Sequence, residues 1–156
     1  MAAVKGTRLL GDTTKSGVNR HATDTITKDR LVVAGTATGS ETAINSANAG
    51  SLTQILGAIQ EDVARGATVT VFGAGSIVQL ESDGSGTIDP GTSVIAVAGG
   101  SPAASGRVAQ LPATVGGGAS YWVVGKSASP SQIAAVAGTK VLVELCHPMR
   151  VWTPAP

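Results

Sequence analysis

A chain of 156 residues, 42% of them hydrophobic, can bury the core of one domain, or of one domain and an arm. A net charge of +1, with only 13% charged residues, argues against a general nucleic-acid binder or a protein of anionic membrane surfaces. The single cysteine, Cys146, excludes an internal disulfide. The start lacks the apolar stretch of a signal peptide, and no run approaches a membrane span. We therefore expect synthesis in the cytoplasm and no contact with a membrane.

Residues 1–30 are polar and without sustained periodicity, and they hold six Lys or Arg against three Asp or Glu. Two interpretations stay open: a disordered tail, or an extended N-terminal arm whose cations dock on an acidic partner surface. Nucleic-acid binding is disfavoured because the segment lacks aromatic side chains and its cations are spaced apart. In the arm interpretation, the candidate partner-binding residues are Lys5, Arg8, Lys15 and Arg20.

Residues 31–147 are predicted to form a β domain. In 67–72 the side chains of Val69 and Val71 face one way and those of Thr68 and Thr70 the other, which is the period of a half-buried strand. Short apolar runs between glycine-rich turns predict the remaining strands, at 30–34, 52–59, 76–80, 93–98, 107–111, 121–124 and 139–145.

These strands predict a mainly β fold, either a small β-barrel or a β-sandwich. Residues 35–51 are predicted to be a long loop, and only 131–137 and 60–65 suit short helices, so we expect at most one or two. Residues 148–156 are rich in proline, which predicts an extended C-terminal tail.

Two segments of the chain are alike. The runs 66–71 and 138–143 both have glycine, two further residues and then alternating valines, and each follows an earlier glycine, Gly57 or Gly125. Two similar strand–turn–strand units would give this pattern, but two matches are too few to establish a repeat. The glycines at 73–75 predict a hairpin. A dinucleotide-binding turn is excluded because the third glycine and the opening helix are missing.

Chemically reactive side chains are few. Only His21 and His147 could serve as a base for a nucleophile, and Cys146 beside His147 would point to the opposite face of a strand. A metal needs three or four converging ligands, and the chain's Cys, His and carboxylates are scattered. We therefore expect no enzyme activity, no catalytic residue, no metal and no cofactor.

The two tryptophans stand out because aromatic residues make up only 3% of the chain. Trp122 is either a core residue or an interface anchor. Trp152 lies in the proline-flanked tail, where we expect it to contact a neighbouring subunit or the arm. Both are therefore candidate partner-binding residues.

The stretch 56–71, LGAIQEDVARGATVTV, resembles the small capsid decoration (cement) proteins of tailed bacteriophages. Further matches to that family follow in the same order at Asp89-Pro90-Gly91, at 124–127 (VGKS) and at 141–143 (VLV). The likeness covers about residues 54–145. The segment before residue 54 is longer than the family core, and the tail after Arg150 is not part of the pattern.

The resemblance implies a β-tulip-like fold and a non-enzymatic virion protein on the outer surface of a phage capsid. Such a protein stabilises the expanded lattice by bridging major capsid proteins, so its expected partners are the major capsid protein and itself, as a homotrimer. The alternative is a carbohydrate- or host-surface-binding module on a head fibre or tail. That function needs exposed aromatic platforms.

Overall fold

The computed structural model describes residues 17–35, 43–47, 52–97, 105–114 and 119–152. Its described part is mainly β, as predicted, and its helical content is one 3₁₀ turn, Leu52–Gln54. The strands are β1 (Val18–Ala22), β2 (Arg30–Ala34), β3 (Ala43–Ser46), β4 (Ile55–Ile59), β5 (Thr68–Val71), β6 (Ile77–Glu81), β7 (Ser93–Ala96), β8 (Val108–Gln110), β9 (Ser120–Ser127) and β10 (Lys140–Trp152).

The strands form two five-stranded sheets with the orders β4-β2-β3-β1-β5 and β6-β10-β9-β7-β8. Neither sheet closes into a barrel. In each sheet, however, the chain at the two edge strands meets through one isolated bridge, Ala58 to Phe72 in the first and Ser82 to Val108 in the second. Both sheets are therefore strongly curled, with a concave side that can hold a core.

The strands of the two sheets have the same cyclic order, opened between β4 and β5 in the first sheet and between β6 and β8 in the second. This correspondence divides the chain into a first half (18–72) and a second half (77–152). In the first half β1 pairs with β5, and β2 pairs with both β3 and β4. In the second half β6 pairs with β10, and β7 pairs with both β8 and β9. The parallel β1–β3 contact recurs as the parallel bridge from Ser82 to Val108.

The correspondence extends to individual residue pairs: the same register shift, the same isolated bridge and the same turn hydrogen bond occur in both halves. In the first half these are the pair Val32–Gly57, the bridge Ile26–Val63 and the bond from Gly66 N to Ala22 O. In the second half they are the pair Val94–Gly125, the bridge Ile88–Ile133 and the bond from Gly138 N to Ser82 O. The two glycine-led segments in the sequence therefore belong to a structural repeat of two whole five-stranded halves.

Strand β2 of the first sheet is buried on both of its faces. On one face Val32, Ile59 and Val69 belong to a small core that contains residues of the first half alone. On the other face Leu31 and Val33 belong to the main core, together with residues of the second half. Alternate residues of β2 therefore enter different cores. The first half has a small core of its own and also contributes to the main core, so the two halves pack as a unit.

The halves meet where the start of β2 lies between β6 and β8. Glu81 N donates to Asp29 O at 3.0 Å, and Leu31 N donates to Gly106 O at 2.9 Å. Gly106 has φ of +76°, and a Cβ built there would lie 2.6 Å from Leu31 O. A side chain at this position would therefore strain its own backbone and push the halves apart.

The amide of Gln60 adds a second polar contact between the halves. Its Nε2 donates to Gln79 O at 2.7 Å, and its Oε1 accepts from Gln79 N at 3.0 Å. The side chain thus bonds to the backbone of β6 much as a neighbouring strand would, and satisfies polar groups at the junction.

A charge network, formed by Asp29, Arg30, Glu81, Arg107 and Lys140, also spans the junction. The Glu81 carboxylate lies 2.6 Å from Arg30 Nη2, 2.8 Å from Lys140 Nζ and 3.3 Å from Arg107 Nε, and Lys140 Nζ lies 2.8 Å from Asp29 Oδ2. Burial opposes ionisation of Glu81, but the Lys140 hydrogen bond and the charge of Arg30 outweigh it and hold the pKa of Glu81 below its ordinary value. The folded state therefore stabilises the ionised carboxylate.

The predicted boundaries of the arm and tail were wrong. Residues 18–22 form β1 inside the first sheet, and Ile26 and Arg30 are buried, so the β domain begins by residue 18 and not at 31. At the other end, 148–152 lies within β10. These segments have no clear periodicity of their own, and they become strands because they pair with strands that are distant in the sequence.

Two local predictions were also wrong. Residues 43–46 form β3 within the predicted loop. The glycines at 73–75 connect strands of different sheets and are not a hairpin. The two segments that suit a short helix, 60–65 and 131–137, are not helical, which agrees with the expected limit of at most two helices; instead, Val63 and Ile133 form isolated bridges. In both segments a short connector closes one half, so tertiary pairing overrides local helix propensity.

Candidate partner-binding surface

A two-stranded ribbon extends from the second sheet. β10 is 13 residues long, but its ladder with β6 ends at Glu144, and beyond Leu145 it pairs, among the described strands, with β9 alone. Here 120–123 of β9 lie opposite 149–152 of β10, and this is the segment that we call the ribbon. Among the described residues, none pairs with the outer edge of 146–152, which therefore presents unpaired backbone groups.

A register shift between Leu145 and Met149 separates the ribbon from the rest of the sheet. Pro148 lies within this shift, where a missing N–H does not interrupt the ladder. A bulge of this kind bends and twists a strand, and so re-aims the side chains that follow it.

One face of the ribbon carries both tryptophans. Arg150 lies opposite Trp122 and Trp152 lies opposite Ser120, and Arg150 Nη2 donates to Ser120 Oγ at 3.3 Å. Trp122 is half-buried against the main core, whereas Trp152 is 58% exposed. An exposed tryptophan held by a strand offers a large apolar contact area that loses little conformational freedom on binding.

The other face of the ribbon carries Tyr121, Val123, Met149 and Val151. Val123 is buried with Ile95 and Ala109, Tyr121 and Val151 pack against this cluster, and Met149 is 58% exposed. Beside the cluster lies a groove of about 400 Å³ that Tyr121 and Trp122 help to line. The ribbon thus joins an exposed apolar end to a concave apolar surface.

The structure brings together two of the predicted partner-binding residues. Trp122 and Trp152 share one face of the ribbon, and no pattern in the sequence predicts that they lie side by side. Arg20 is partly exposed in β1 of the first sheet, away from the strands that carry the tryptophans. Lys5, Arg8 and Lys15 lie outside the described residues.

Sequence reasoning missed other exposed apolar residues. The large hydrophobic side chains exposed in the described part of the chain are Val18, Leu56, Val136, Met149 and Trp152. Apart from Trp152, none was singled out, because an aliphatic residue in a strand-like run is normally assigned to the core. Only the pairing of the strands shows which of them lie at an edge.

Neither metal chemistry nor a membrane span is indicated in the described part of the chain. It contains no group of three or more His, Cys, Asp or Glu side chains arranged to hold a metal ion. None of its helices has the length and apolar character needed to cross a membrane.

No known protein family matches this chain, and no curated protein sequence matches it either. Three properties favour contact with another polypeptide: the apolar end of the ribbon, the strand edge that no described residue pairs with, and the 13% share of charged residues, which leaves little charge to desolvate.

Proposed function

We propose that this chain is a structural virion protein that binds the outer surface of a tailed-phage capsid and stabilises the expanded lattice by bridging major capsid proteins. The observation that carries the proposal is the ribbon, on which the 58% exposed Trp152 lies next to a strand edge that no described residue pairs with. The resemblance of 56–71 to capsid decoration proteins supplies the class of partner.

The open edge of 146–152 suits strand addition. A strand of the capsid protein that adds to this edge would form backbone hydrogen bonds with 146–152. The side chains of that capsid strand would contact the residues on the two faces of the ribbon. Trp152 would then act as the anchor of the contact, since interface energy concentrates in a few aromatic or arginine side chains. A rigid scaffold limits the entropy lost on binding.

Preferential binding to the expanded lattice stabilises that lattice by mass action. At a free concentration of 100 times Kd, each occupied site contributes about 2.7 kcal/mol. Residues 1–16 carry Lys5, Arg8 and Lys15 and are proposed to add a second, electrostatic contact to the same capsid, which raises the effective concentration of the ribbon.

The test is binding to purified expanded capsids, with occupancy measured by quantitative gel analysis and electron cryomicroscopy. Trp152→Ala should raise Kd roughly 30-fold, the loss expected for a hot-spot residue. Val136→Ala is the matched control, because Val136 is 60% exposed but lies in the connector before β10. If Trp152→Ala occupies capsids as the wild type does, the ribbon is not the contact surface. If the wild-type protein does not bind expanded capsids, the proposed function is refuted.

One observation favours the alternative, a carbohydrate-binding module. Tyr121, Trp122 and Trp152, three of the chain's four aromatic residues, all lie on the ribbon. Aromatic faces next to a groove are the platform on which sugar rings stack. Saturable binding to a glycan array that is lost in Trp122→Ala, with no binding to capsids, would replace the first proposal by this one.

A further inference from the structure

The internal repeat makes it possible to ask which surfaces are covered in one half and uncovered in the other. In the first half, Val33 pairs with Ile55, and both are buried in the main core. Ala47, which follows the residue that pairs with Val32, belongs to the same core. These three residues define the outer face of the first half, and the second half covers it.

The equivalent residues of the second half follow from the same pairings. Ile95 pairs with Val123 at the same register shift, and Leu111 follows the residue that pairs with Val94. They form a separate small cluster, beside which lies the groove of about 400 Å³. We call Ile95, Leu111, Val123 and the adjoining Tyr121 the outer face of the second half. The described chain contains no further repeat unit that covers it.

A complementary surface is uncovered in the first half. In the second half Val78, Leu80 and Val124 are exposed by 1%, 0% and 1%, because they belong to the main core shared with the first half. The pairs Val18–Val71 and Val78–Val143 are equivalent, so Val18 and Arg20 occupy the places of Val78 and Leu80. Leu56 takes the place of Val124, since each precedes the glycine at the register shift.

These first-half positions are open. Val18 is 55% exposed, Leu56 is 38% exposed, and Arg20 is partly exposed. Two of the large exposed apolar side chains in the described chain thus lie where the other half has a buried interface. We call Val18, Arg20 and Leu56 the open end of the first half.

We propose that a second copy of this chain joins these two surfaces: the outer face of the second half of one molecule packs on the open end of the first half of the next. The contact repeats between molecules the packing that holds the two halves together within one molecule. Every molecule carries one of each surface, so the association is head-to-tail. This inference rests on the repeat and does not depend on the proposed capsid function.

The contact between molecules differs from the one within a molecule in two ways. Arg20 stands where Leu80 would lie, and Ser93 occupies the place of Leu31, which belongs to the main core, so less apolar area is buried and the contact is weaker. The charge network has no counterpart, because Thr92, His21 and Thr68 occupy the places of Arg30, Glu81 and Lys140. Association should therefore change little with salt concentration.

The experiment is sedimentation velocity of the full chain over a concentration series. The double variant Val18→Lys/Leu56→Lys alters the open end, Tyr121→Lys alters the outer face, and Leu111→Lys serves as a second variant of that face. Each should raise the dissociation constant by about 100-fold or more, because an unpaired ammonium group is buried in a contact whose charged side chain, Arg20, has the same sign. Val136→Lys is the control and should associate as wild type does. Circular dichroism and urea unfolding identify variants that remain folded.

Mixing the variants tests the head-to-tail arrangement. The open-end variant keeps a sound outer face and the outer-face variant keeps a sound open end, so an equimolar mixture should form a 1:1 complex and nothing larger. The proposal is overturned if the wild type stays monomeric at every concentration, if folded variants associate as the wild type does, or if the mixture forms no complex. Association that begins only after deletion of 2–16 would identify that segment as the native cover and would also overturn it.

Discussion

Replacing Gly106 by alanine tests whether the junction between the halves governs the stability of the whole chain. Gly106 has φ of +76°, in the left-handed region, and a Cβ there would approach Leu31 O to 2.6 Å and Leu31 N to 3.0 Å. The left-handed backbone costs about 1–2 kcal/mol for a non-glycine residue. Overpacking against backbone that cannot rotate away adds about 1–3 kcal/mol. The expected loss is therefore about 2–5 kcal/mol.

Gly91 supplies the matched control. Its φ is +73°, nearly that of Gly106, but a Cβ built there has no heavy atom within 4 Å. Gly91→Ala should lose only the conformational part, about 1–2 kcal/mol. The difference between the two variants, about 1–3 kcal/mol, isolates the clash at the junction.

The measurement is urea unfolding at equilibrium, with the free energy of unfolding extrapolated to water. Single domains are stable by about 5–15 kcal/mol, so both variants should remain folded enough to measure. Equal losses in the two variants would refute the reasoning, since they would show that the close approach of Gly106 to Leu31 carries no energy.

Three further predictions concern the polar contacts of the junction. Glu81→Gln should destabilise by about 3 kcal/mol, because it leaves the buried Arg30 without its carboxylate, whereas the exposed Glu144→Gln should change stability by less than about 0.5 kcal/mol. Because the pKa of Glu81 is depressed, its stabilising contribution is complete above the ordinary glutamate pKa and is lost as the pH falls through the lower pKa of the folded state. Acid titration of stability should therefore be steeper in the wild type than in Glu81→Gln. Gln60→Ala should cost about 2 kcal/mol, since it removes two hydrogen bonds to the backbone of Gln79.

Each of these predictions has its own contrary result. Losses of equal size in the two glutamate variants would mean that the network adds no stability beyond a surface charge. Parallel acid profiles would mean that Glu81 titrates alike in the folded and unfolded states. A Gln60→Ala protein as stable as the wild type would show that water replaces the amide at no net cost.

The sequence predicted the apolar strands well because their pattern is local. The alternation of Val and Thr in β5 and the short apolar run of β7 place these strands within two residues of their observed ends. β1 and β3 were missed, since neither carries a clear alternating pattern. They are strands because β1 lies between β3 and β5 in the first sheet, a pairing between segments far apart in sequence.

The repeat was visible in the sequence at glycines that the backbone geometry requires and at buried valines such as Val69 and Val141. Gly66 and Gly138 have φ of +87° and +85°, so both halves retain glycine there. Elsewhere the same fold position accepts different side chains, as with Arg20 and Leu80. The residue type at such a position depends on which surface packs against it, and the sequence of one half does not show that surface.

The candidate surface was half predictable. Trp122 and Trp152 attract notice in any chain so poor in aromatic residues, and both lie on the ribbon. Their common face follows from the β9–β10 register beyond the shift at Leu145–Met149, which no local pattern encodes. The predicted arm was too long, so a truncation that tests it should remove 2–16 and leave β1 in place.

The division of the main core between the halves has a consequence during translation. Leu31, Val33 and Phe72 belong to segments that leave the ribosome before the residues that bury them, which extend to Leu145. At a translation rate of about 5–20 residues per second, these apolar side chains remain unburied for on the order of 10 s until the second half has been synthesised. A nascent chain stalled after the first half should be a chaperone client, whereas the finished chain should not.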